Sequence, residues 1–352
     1  MADASLKAQP DRLVGAWLLA VCVMVFCMMM LGGATRLTES GLSITEWKPL
    51  SGALPPLSHA EWERLFAQYQ QIPQYRENAG MTLADFQYIF WWEWSHRLLG
   101  RVIGVVVLVP LITFALMGRL KGRFWSCIAL LALGGLEGFL GWWMVQSGLR
   151  DAVFVSPVRL AVHLVTAFCI MGFALWLALD AFGWPRAGSR LGAPRGLVLG
   201  FLGILLLQVV FGALLAGARG GAAYADWPTI GGATIPRTYA ALEPFWMNLV
   251  YNHATQQMNH RTLGYVVALL ALAIAALAQQ RGAGDARAAG IALGVVALAQ
   301  ASLGIVTVMS AAPLGLSLAH QAGAALLWLT GVTTLRGAWR QYNTAIVTNG
   351  KI

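Results

Sequence analysis

Eight long apolar stretches constrain the fold of this chain more than any other feature of its sequence. They cover residues 13–34, 88–117, 124–146, 158–180, 196–217, 249–278, 289–310 and 315–336. A helix needs ~20 apolar residues to cross the hydrocarbon core of a bilayer, and each stretch reaches about that length. The sequence therefore predicts an all-α integral membrane protein with eight transmembrane helices.

The composition agrees with this prediction. Hydrophobic residues make up 58% of the 352 residues and charged residues only 11%, whereas a soluble domain carries about 25% charged residues. The net charge of +9 does not indicate a nucleic-acid partner, because the basic residues lie mainly in short gaps between apolar stretches and no nucleic-acid-binding motif occurs. Four cysteines inside the apolar stretches are expected to be free thiols: Cys22, Cys27, Cys127 and Cys169.

The charges of the loops predict the orientation of the chain in the membrane. One side collects the basic residues: Lys7, Arg12, Arg119, Lys121, Arg123, Arg186, Arg190, Arg195, Arg281, Arg287, Arg336, Arg340 and Lys351. On the other side, acidic residues offset the basic ones in the two long loops, 35–87 and 218–248. The positive-inside rule then places both termini in the cytoplasm. No cleavable signal peptide is visible, so the first stretch should remain as a helix.

The two halves of the chain resemble each other. Four features of the first half recur in the same order in the second: Glu46-Trp47 as Asp226-Trp227, His96-Arg97 as His260-Arg261, Leu140-Gly141 as Leu303-Gly304, and His163 as His320. The offset shrinks along the chain, as shorter loops in the second copy would produce. Since both copies have the same predicted orientation, we expect two parallel-repeat four-helix bundles.

The repeat divides the chain into five segments. They are a cytoplasmic N-terminus (1–12), a first four-helix repeat (13–183), a cytoplasmic linker (184–195), a second four-helix repeat (196–337) and a cytoplasmic tail (338–352). The loop 35–87 carries aromatic residues among charges, which predicts amphipathic segments on the membrane surface. We expect this loop to form a lid over the first repeat, because long loops without structure are uncommon.

Four of the six histidines occupy matching places in the two repeats: His96, His163, His260 and His320. Three of them lie in the first third of their stretches and His260 lies slightly deeper, so all four are expected at similar depth near the outer face. A single intramembrane histidine is as often a packing residue as a functional one, but four at one depth, paired within each repeat, favour ligation. Zinc usually takes three or four ligands, whereas two imidazoles facing each other suit the axial positions of a heme.

Arginines follow two of these histidines at the same spacing. Arg97 and Arg261 each come directly after a histidine, and Arg101 lies one turn further on. Their guanidinium groups are candidates to pair with heme propionates. The alternative is that they extend toward the membrane interface. For Arg101 this is as reasonable as binding a propionate, but it is less so for the repeated pair Arg97 and Arg261.

Glu93 is the position at which the repeats differ most informatively. It stands three residues before His96, on the same helix face, where the second repeat has Gln257. A carboxylate within a bilayer is costly and usually serves chemistry, so Glu93 is a candidate catalytic residue. The alternative is a structural salt bridge to Arg97, four residues along the helix.

Four further polar residues have simpler interpretations. Glu137, its copy Gln300, and Gln208 are expected to form hydrogen bonds between helices. His253 has no counterpart in the first repeat, so it is interpreted as an interfacial histidine with a satisfied hydrogen bond, with a minor alternative as a reserve ligand.

Three segments of the sequence resemble heme A synthase of the α-proteobacterial and mitochondrial type. They are 32–43 (GGATRLTESGLS), 46–57 with EWKP followed by PPL, and 90–101 (FWWEWSHRLLGR). The resemblance extends over nearly the whole chain, from about residue 15 to about residue 336. It implies oxidation of the C8 methyl group of heme O to the formyl group of heme A, in the inner membrane of a bacterium. Some relatives have a cysteine pair in the outer loops, which this sequence lacks.

The resemblance also implies roles for individual residues. His260 and His320 match the iron ligands of a resident heme b, His96 and His163 match the ligands of the substrate heme, and Glu93 matches the essential glutamate of the family. The implied partners are the farnesyltransferase that makes heme O and cytochrome oxidase, which uses heme A. Whether the chain forms a homo-oligomer is left open.

Two other functions remain open at this point. A diheme b-type electron carrier would keep both hemes permanently. Such carriers normally place their hemes at opposite membrane faces, whereas all four histidines here are expected near one face, which disfavours this function. A transporter with parallel repeats would use the histidines as a proton relay, and it predicts a site near the midplane with discontinuous helices. The four histidine-bearing stretches lack a proline at mid-span, which disfavours the transporter.

Overall fold

The computed structural model describes residues 9–49, 51–149 and 152–349, and it folds them into helices without a β-strand. The α-helices are α1 (Arg12–Leu37), α2 (His59–Tyr69), α3 (Leu83–Leu116), α4 (Phe124–Gln146), α5 (Pro157–Ala181), α6 (Arg195–Gly217), α7 (Trp246–Tyr251), α8 (His253–Arg281), α9 (Gly284–Met309) and α10 (Leu314–Asn349). Parts of the predicted N-terminus and tail, with Lys7 and Lys351, lie outside the described residues.

Seven of the described helices are long and apolar enough to cross a membrane: α1, α3, α4, α5, α6, α8 and α9. The predictions of an all-helical chain and of a multi-pass membrane protein are therefore confirmed. The predicted eighth stretch, 315–336, is helical and lies within α10, which is not among the seven. It nevertheless packs against four of them, α1, α5, α6 and α9.

Four helices form the centre of the molecule. Helices α1, α5, α6 and α10 pack around one another, with α3 and α4 on the side of α1 and α5, and α8 and α9 on the side of α6 and α10. Small residues allow close approach, as where Gly172 of α5 lies against Trp328 of α10. The two flanks differ, because α8 and α9 are in extensive contact whereas α3 and α4 contact each other sparsely.

The sixth predicted stretch, 249–278, is not one helix. It is divided at Asn252 into α7 and α8, and the Asn252 side chain accepts hydrogen bonds from the backbone N–H groups of Ala254 and Thr255. Asparagine is a preferred N-cap, so its hydrogen bonds begin a new helix at His253 although the apolar pattern continues through it. The predicted start at residue 249 was therefore wrong by one helical turn.

The loop between α1 and α3 is folded against the end of α3. Its helix α2 packs Trp62 and Phe66 onto Phe86 and Phe90 of α3, with 4.8 Å between the ring centroids of Trp62 and Phe90. Aromatic pairs at this separation stabilise the contact beyond the area that they bury. The loop therefore lies over the end of the bundle near His96.

Ion pairs link the segments at the opposite end of the bundle. Arg119 binds Asp11 at 2.7 Å, Arg123 binds Asp180 at 2.9 Å, and Arg336 also reaches Asp180. These arginines belong to the basic side on which the predicted orientation rests. They join the residue before α1 to the segment after α3, and they join the start of α4 and the interior of α10 to the end of α5.

Candidate functional site

The two histidines of the second repeat face each other between α8 and α10. The ring centroids of His260 and His320 are 6.3 Å apart, and the ring planes meet at 79°. Two imidazoles on opposite sides of one metal ion, each with a nitrogen–metal bond of ~2 Å, place their ring centroids about 6 Å apart. The pair therefore has the spacing of two axial ligands.

Neighbouring amides hold this pair in place. His260 Nδ1 lies 3.2 Å from the backbone oxygen of Gln208, which is an acceptor, so Nδ1 carries the proton and Nε2 has the electron pair of the ring. The Gln208 side-chain nitrogen is 3.3 Å from that Nε2. On the other side, the Gln300 amide nitrogen lies 3.1 Å from His320 Nδ1 and donates to the His320 carbonyl at 2.9 Å.

The two histidines of the first repeat have different surroundings. His163 Nδ1 is 3.0 Å from the Glu137 carboxylate of α4, whereas His96 makes no hydrogen bond within the described residues. The position that matches Gln208 is Met28, whose methyl group lies beside Gly100 of α3. No ring contact between His96 and His163 occurs in the described part of the chain.

Each of the four imidazoles lies against a glycine of an adjacent helix. A Cβ atom at Gly212 or Gly304 would come within 2.9 Å of the Cε1 atom of His260 or His320, respectively. In the first repeat, a Cβ at Gly141 would be 3.2 Å from His163, and a Cβ at Gly32 would be 3.0 Å from His96. Any larger residue at these positions would displace the ring or clash with it.

Several polar atoms around the histidines are buried and lack a hydrogen-bond partner. They include Glu137 Oε2, Gln208 Oε1 and Gln300 Oε1. Burying such atoms without a partner costs free energy, so their clustering beside paired imidazoles indicates places where a bound group belongs. The described residues contain no group of three or more His, Cys, Asp or Glu side chains suited to a bare metal ion. Two facing imidazoles are the protein ligands that suit a heme iron, because the macrocycle brings four nitrogen ligands of its own.

Glu93 lies one turn from His96 and is almost completely buried. Its Oε2 accepts hydrogen bonds of 2.8 Å from the Ser43 hydroxyl and from the Ile44 backbone N–H. Its Oε1 accepts one of 2.6 Å from Arg97. The salt bridge considered as the alternative to a catalytic role is thus present, and it is joined to the loop above the histidine.

Arg97 extends this network. Besides Glu93, it donates to the backbone oxygens of Ile44 at 2.9 Å and Glu46 at 3.2 Å. Arg101, one turn further along α3, donates to the backbone oxygens of Lys48 and Pro49. Most of the guanidinium donors that were expected to reach heme propionates therefore hold the loop.

The second repeat has the same arrangement, but the neutral Gln257 takes the place of the charged Glu93. Arg261 pairs with Gln257 and donates to the backbone oxygens of Asp226 and Thr229, both at 2.8 Å. Gln257 donates to the Gly220 carbonyl at 3.1 Å. In the first repeat the buried side chain accepts hydrogen bonds from the loop, whereas in the second it donates to the loop.

The remaining candidates are accounted for by local contacts. His253 Nε2 lies 2.9 Å from the Ala218 carbonyl, as expected for a hydrogen-bonded packing residue.

One arginine near the histidines was not predicted from the sequence. Arg159 lies one turn before His163 on α5, stacks on Trp143 at 4.5 Å and donates to the Trp143 carbonyl. The same position in the second repeat is Leu316, so this difference between the copies was visible in the sequence.

Comparison with known proteins identifies similar chains. Residues 15–332 match the family model described as cytochrome oxidase assembly protein, COX15-CtaA. A heme A synthase of Caulobacter sp. (strain K31) is 48% identical over 95% of this chain and 98% of its own length. A heme A synthase of Rhodopseudomonas palustris (strain BisA53) is 46% identical over 95% of this chain and 93% of its own length. One from Brucella suis is 46% identical over 88% of this chain.

Proposed function

The chain belongs to the COX15-CtaA family of cytochrome oxidase assembly proteins, and from this premise we propose that it is a heme A synthase. In this function it is an oxidoreductase that converts the C8 methyl group of heme O to the formyl group of heme A. The observation that carries the proposal is the difference between matching sites: His260 and His320 face each other in the second repeat, and only the first repeat adds the carboxylates Glu93 and Glu137 near its histidines. Two equivalent electron-carrying hemes would not require that difference.

The second repeat is the proposed site of a resident heme b. His260 and His320 would hold its iron, with Gln208 and Gln300 orienting the two rings. When bound, this heme supplies one-electron redox chemistry. The support for the assignment is the 6.3 Å ring separation together with Gly212 and Gly304 beside the rings.

The first repeat is the proposed site of the substrate. His96 and His163 would bind the iron of heme O, and Arg159, which has guanidinium donors without a described partner, is a candidate to bind a propionate. Arg97 and Arg261 remain candidates for propionate binding. A propionate at either arginine would compete for its N–H donors with the loop carbonyls. The sparse contact between α3 and α4 supports a pocket that exchanges its ligand.

Glu93 is the proposed acceptor of a proton during the oxidation. Written as a half-reaction, a methyl group and one water molecule give a formyl group with release of protons and electrons, and the electrons would pass to an external electron acceptor. Protons released within a membrane need an acceptor, and Glu93 is a buried carboxylate one turn from His96. In the second repeat, where we propose no chemistry, Gln257 takes its place.

The proposed membrane architecture has eight helices in two parallel repeats, with 13–183 and 196–337 as the units. α10 would provide the eighth span, both termini would lie in the cytoplasm, and the membrane would be the bacterial inner membrane. The loop 35–87 would be the lid of the substrate pocket. The proposed partners are heme O synthase, which supplies the substrate, and cytochrome oxidase assembly, which receives the product.

Pigment extraction from the purified protein tests the proposal. A heme A synthase should contain heme b together with heme O or heme A, because one site is resident and the other exchanges substrate for product. A diheme b-type electron carrier would contain heme b alone, and a transporter would contain no heme. Either of those two results would overturn the proposal.

A further inference from the structure

The two repeats give the histidines of their fourth helices different partners at the same position. His163 of α5 has the Glu137 carboxylate 3.0 Å from its Nδ1, and His320 of α10 has the Gln300 amide nitrogen 3.1 Å from its Nδ1. Glu137 and Gln300 occupy matching places on α4 and α9, since each precedes its paired glycine, Gly141 or Gly304, by four residues. The duplication thus provides a natural comparison of a carboxylate with an amide.

The two side chains impose different states on the imidazole. A carboxylate only accepts hydrogen bonds, so it fixes the proton on Nδ1 and leaves the Nε2 electron pair for iron. It also increases the basicity of the ring, which strengthens the bond to a metal. The Gln300 side chain is neutral, so its amide oxygen can also accept the Nδ1 proton when Nε2 binds iron, but it does not increase the basicity of the ring as a carboxylate does.

The Glu137 carboxylate lies mostly buried beside His163. Its side chain is 18% exposed and that of His163 is 19% exposed, and its second oxygen is buried without a hydrogen-bond partner. The 3.0 Å contact is not a hydrogen bond, because His163 Nδ1 has no hydrogen-bond partner among the described residues. Hydrogen bonds around a ligand site are often poorly aligned in the free protein and tighten when the ligand binds.

His96, on the other side of the same pocket, has no such partner. No hydrogen bond to its ring occurs in the described residues, and the side chain that matches Gln208 is Met28, a thioether that donates no hydrogen bond. The first repeat therefore combines one imidazole with a charged partner and one with none. A pocket that must take up one heme and release another benefits from two ligands of unequal strength.

We propose that Glu137 is a positioning residue that makes His163 the firm ligand of the substrate heme and leaves His96 as the exchangeable one. This inference rests on the proposed function, because it needs a heme in the first repeat. It assigns Glu137 a role through His163 and no direct contact with the reacting methyl group.

The test compares Glu137→Gln, which copies the second repeat, with the reverse change Gln300→Glu. Purified proteins are examined by electron paramagnetic resonance of their low-spin ferric hemes and by the rate at which heme transfers to apomyoglobin. We expect Glu137→Gln to release heme O and heme A ~10–100-fold faster, the usual cost of losing the partner of a ligating histidine, with heme b retained. Gln300→Glu should shift the signal of heme b and leave the other heme unchanged.

The possible results separate this inference from the proposed function. If wild-type protein holds no heme O or heme A, the proposed function fails, and the inference fails with it. If wild-type protein holds them and Glu137→Gln changes neither the release rate nor the signal of that heme, only the role of Glu137 is overturned. Should Glu137→Gln yield no folded protein, Gln300→Glu decides, because an unshifted heme b signal would contradict the effect of a carboxylate at this position.

Discussion

Gly212 lies directly against the ring of His260, so that a Cβ atom at residue 212 would come within 2.9 Å of the imidazole Cε1 atom. The two residues belong to different helices, α6 and α8, and the contact fixes how closely these helices approach beside the histidine. The same relationship joins Gly304 to His320, Gly141 to His163 and Gly32 to His96. All four histidines share this contact with a glycine.

Gly212→Ala is expected to displace His260 and lower the heme b content of the purified protein by about tenfold or more. A control exists on the same helix, because a Cβ at Gly203 would meet no atom within 4 Å. Gly203→Ala should retain heme b and stabilise α6 by up to ~1 kcal/mol through helix propensity. Heme b per polypeptide, measured as the pyridine hemochrome, checks both variants. Equal heme content in the two would show that the contact does not position the ring.

The two histidine pairs should have separable effects. His260→Ala or His320→Ala is expected to remove the low-spin heme b spectrum, because each variant deletes one of the two proposed ligands. His96→Ala or His163→Ala should keep heme b but abolish formation of heme A. Absorption spectra of the purified proteins and chromatography of the extracted hemes give the two readouts. A normal heme b spectrum in His260→Ala would rule out the assignment of the resident site.

Much of the fold follows from the sequence because helix length in a membrane is set by apolar length. The predicted stretch 124–146 coincides with α4, which runs from Phe124 to Gln146, since Arg123 marks its start. The break at Asn252 was not predicted, because apolar periodicity does not register a side chain that caps a helix. The Asn252-His253-Ala254 sequence contained the signal, as asparagine is a favoured N-cap.

The candidate histidines were predictable, but most of their surroundings were not. The internal repeat singled out His96, His163, His260 and His320 without any knowledge of the packing. Which side chains lie beside them depends on which helices are neighbours and how those helices are rotated. Gly212 and Gln208 on α6 approach His260 across 48 or more residues of chain, a relation that residue spacing does not reveal.

Asp11 should make the stability of the protein depend on pH. It caps α1 by accepting from the backbone N–H groups of Leu13 and Val14, and its hydrogen bond with Arg119 is the main cause that lowers its pKa from 3.8 to about 2. A lowered pKa means that the ionised form is favoured in the folded state. The resulting stabilisation is complete above about pH 4 and is lost as the pH falls toward about 2.

Asp11→Asn isolates this ion pair, because asparagine caps a helix about as well as aspartate. Its thermal midpoint in detergent at neutral pH should be lower than that of the wild type, and the difference should vanish as the pH falls toward 2. Asp11→Ala, which also loses the cap, should be destabilised by a further ~1 kcal/mol at neutral pH. A difference between wild type and Asp11→Asn that does not change with pH would contradict the assignment.

Glu93 has two roles to distinguish, proton acceptor and anchor of the loop, and the hydrogen bonds of its carboxylate make them separable. Glu93→Gln copies Gln257 and should fold, keep heme b and stop the formation of heme A. If the carboxylate acts only as an anchor, Ser43→Ala should reduce heme A formation to a similar degree, because Ser43 donates to the same Oε2 atom as Ile44. If Glu93 accepts a proton, Ser43→Ala should lower the rate only modestly, since its loss removes one of several hydrogen bonds and costs about 1 kcal/mol.

The measurement is the ratio of heme A to heme O in membranes that contain each variant, with heme b as the control for folding. We expect Ser43→Ala to form heme A and Glu93→Gln to accumulate heme O. Normal heme A formation by Glu93→Gln would end the catalytic interpretation and leave the Arg97 salt bridge as the function of this carboxylate.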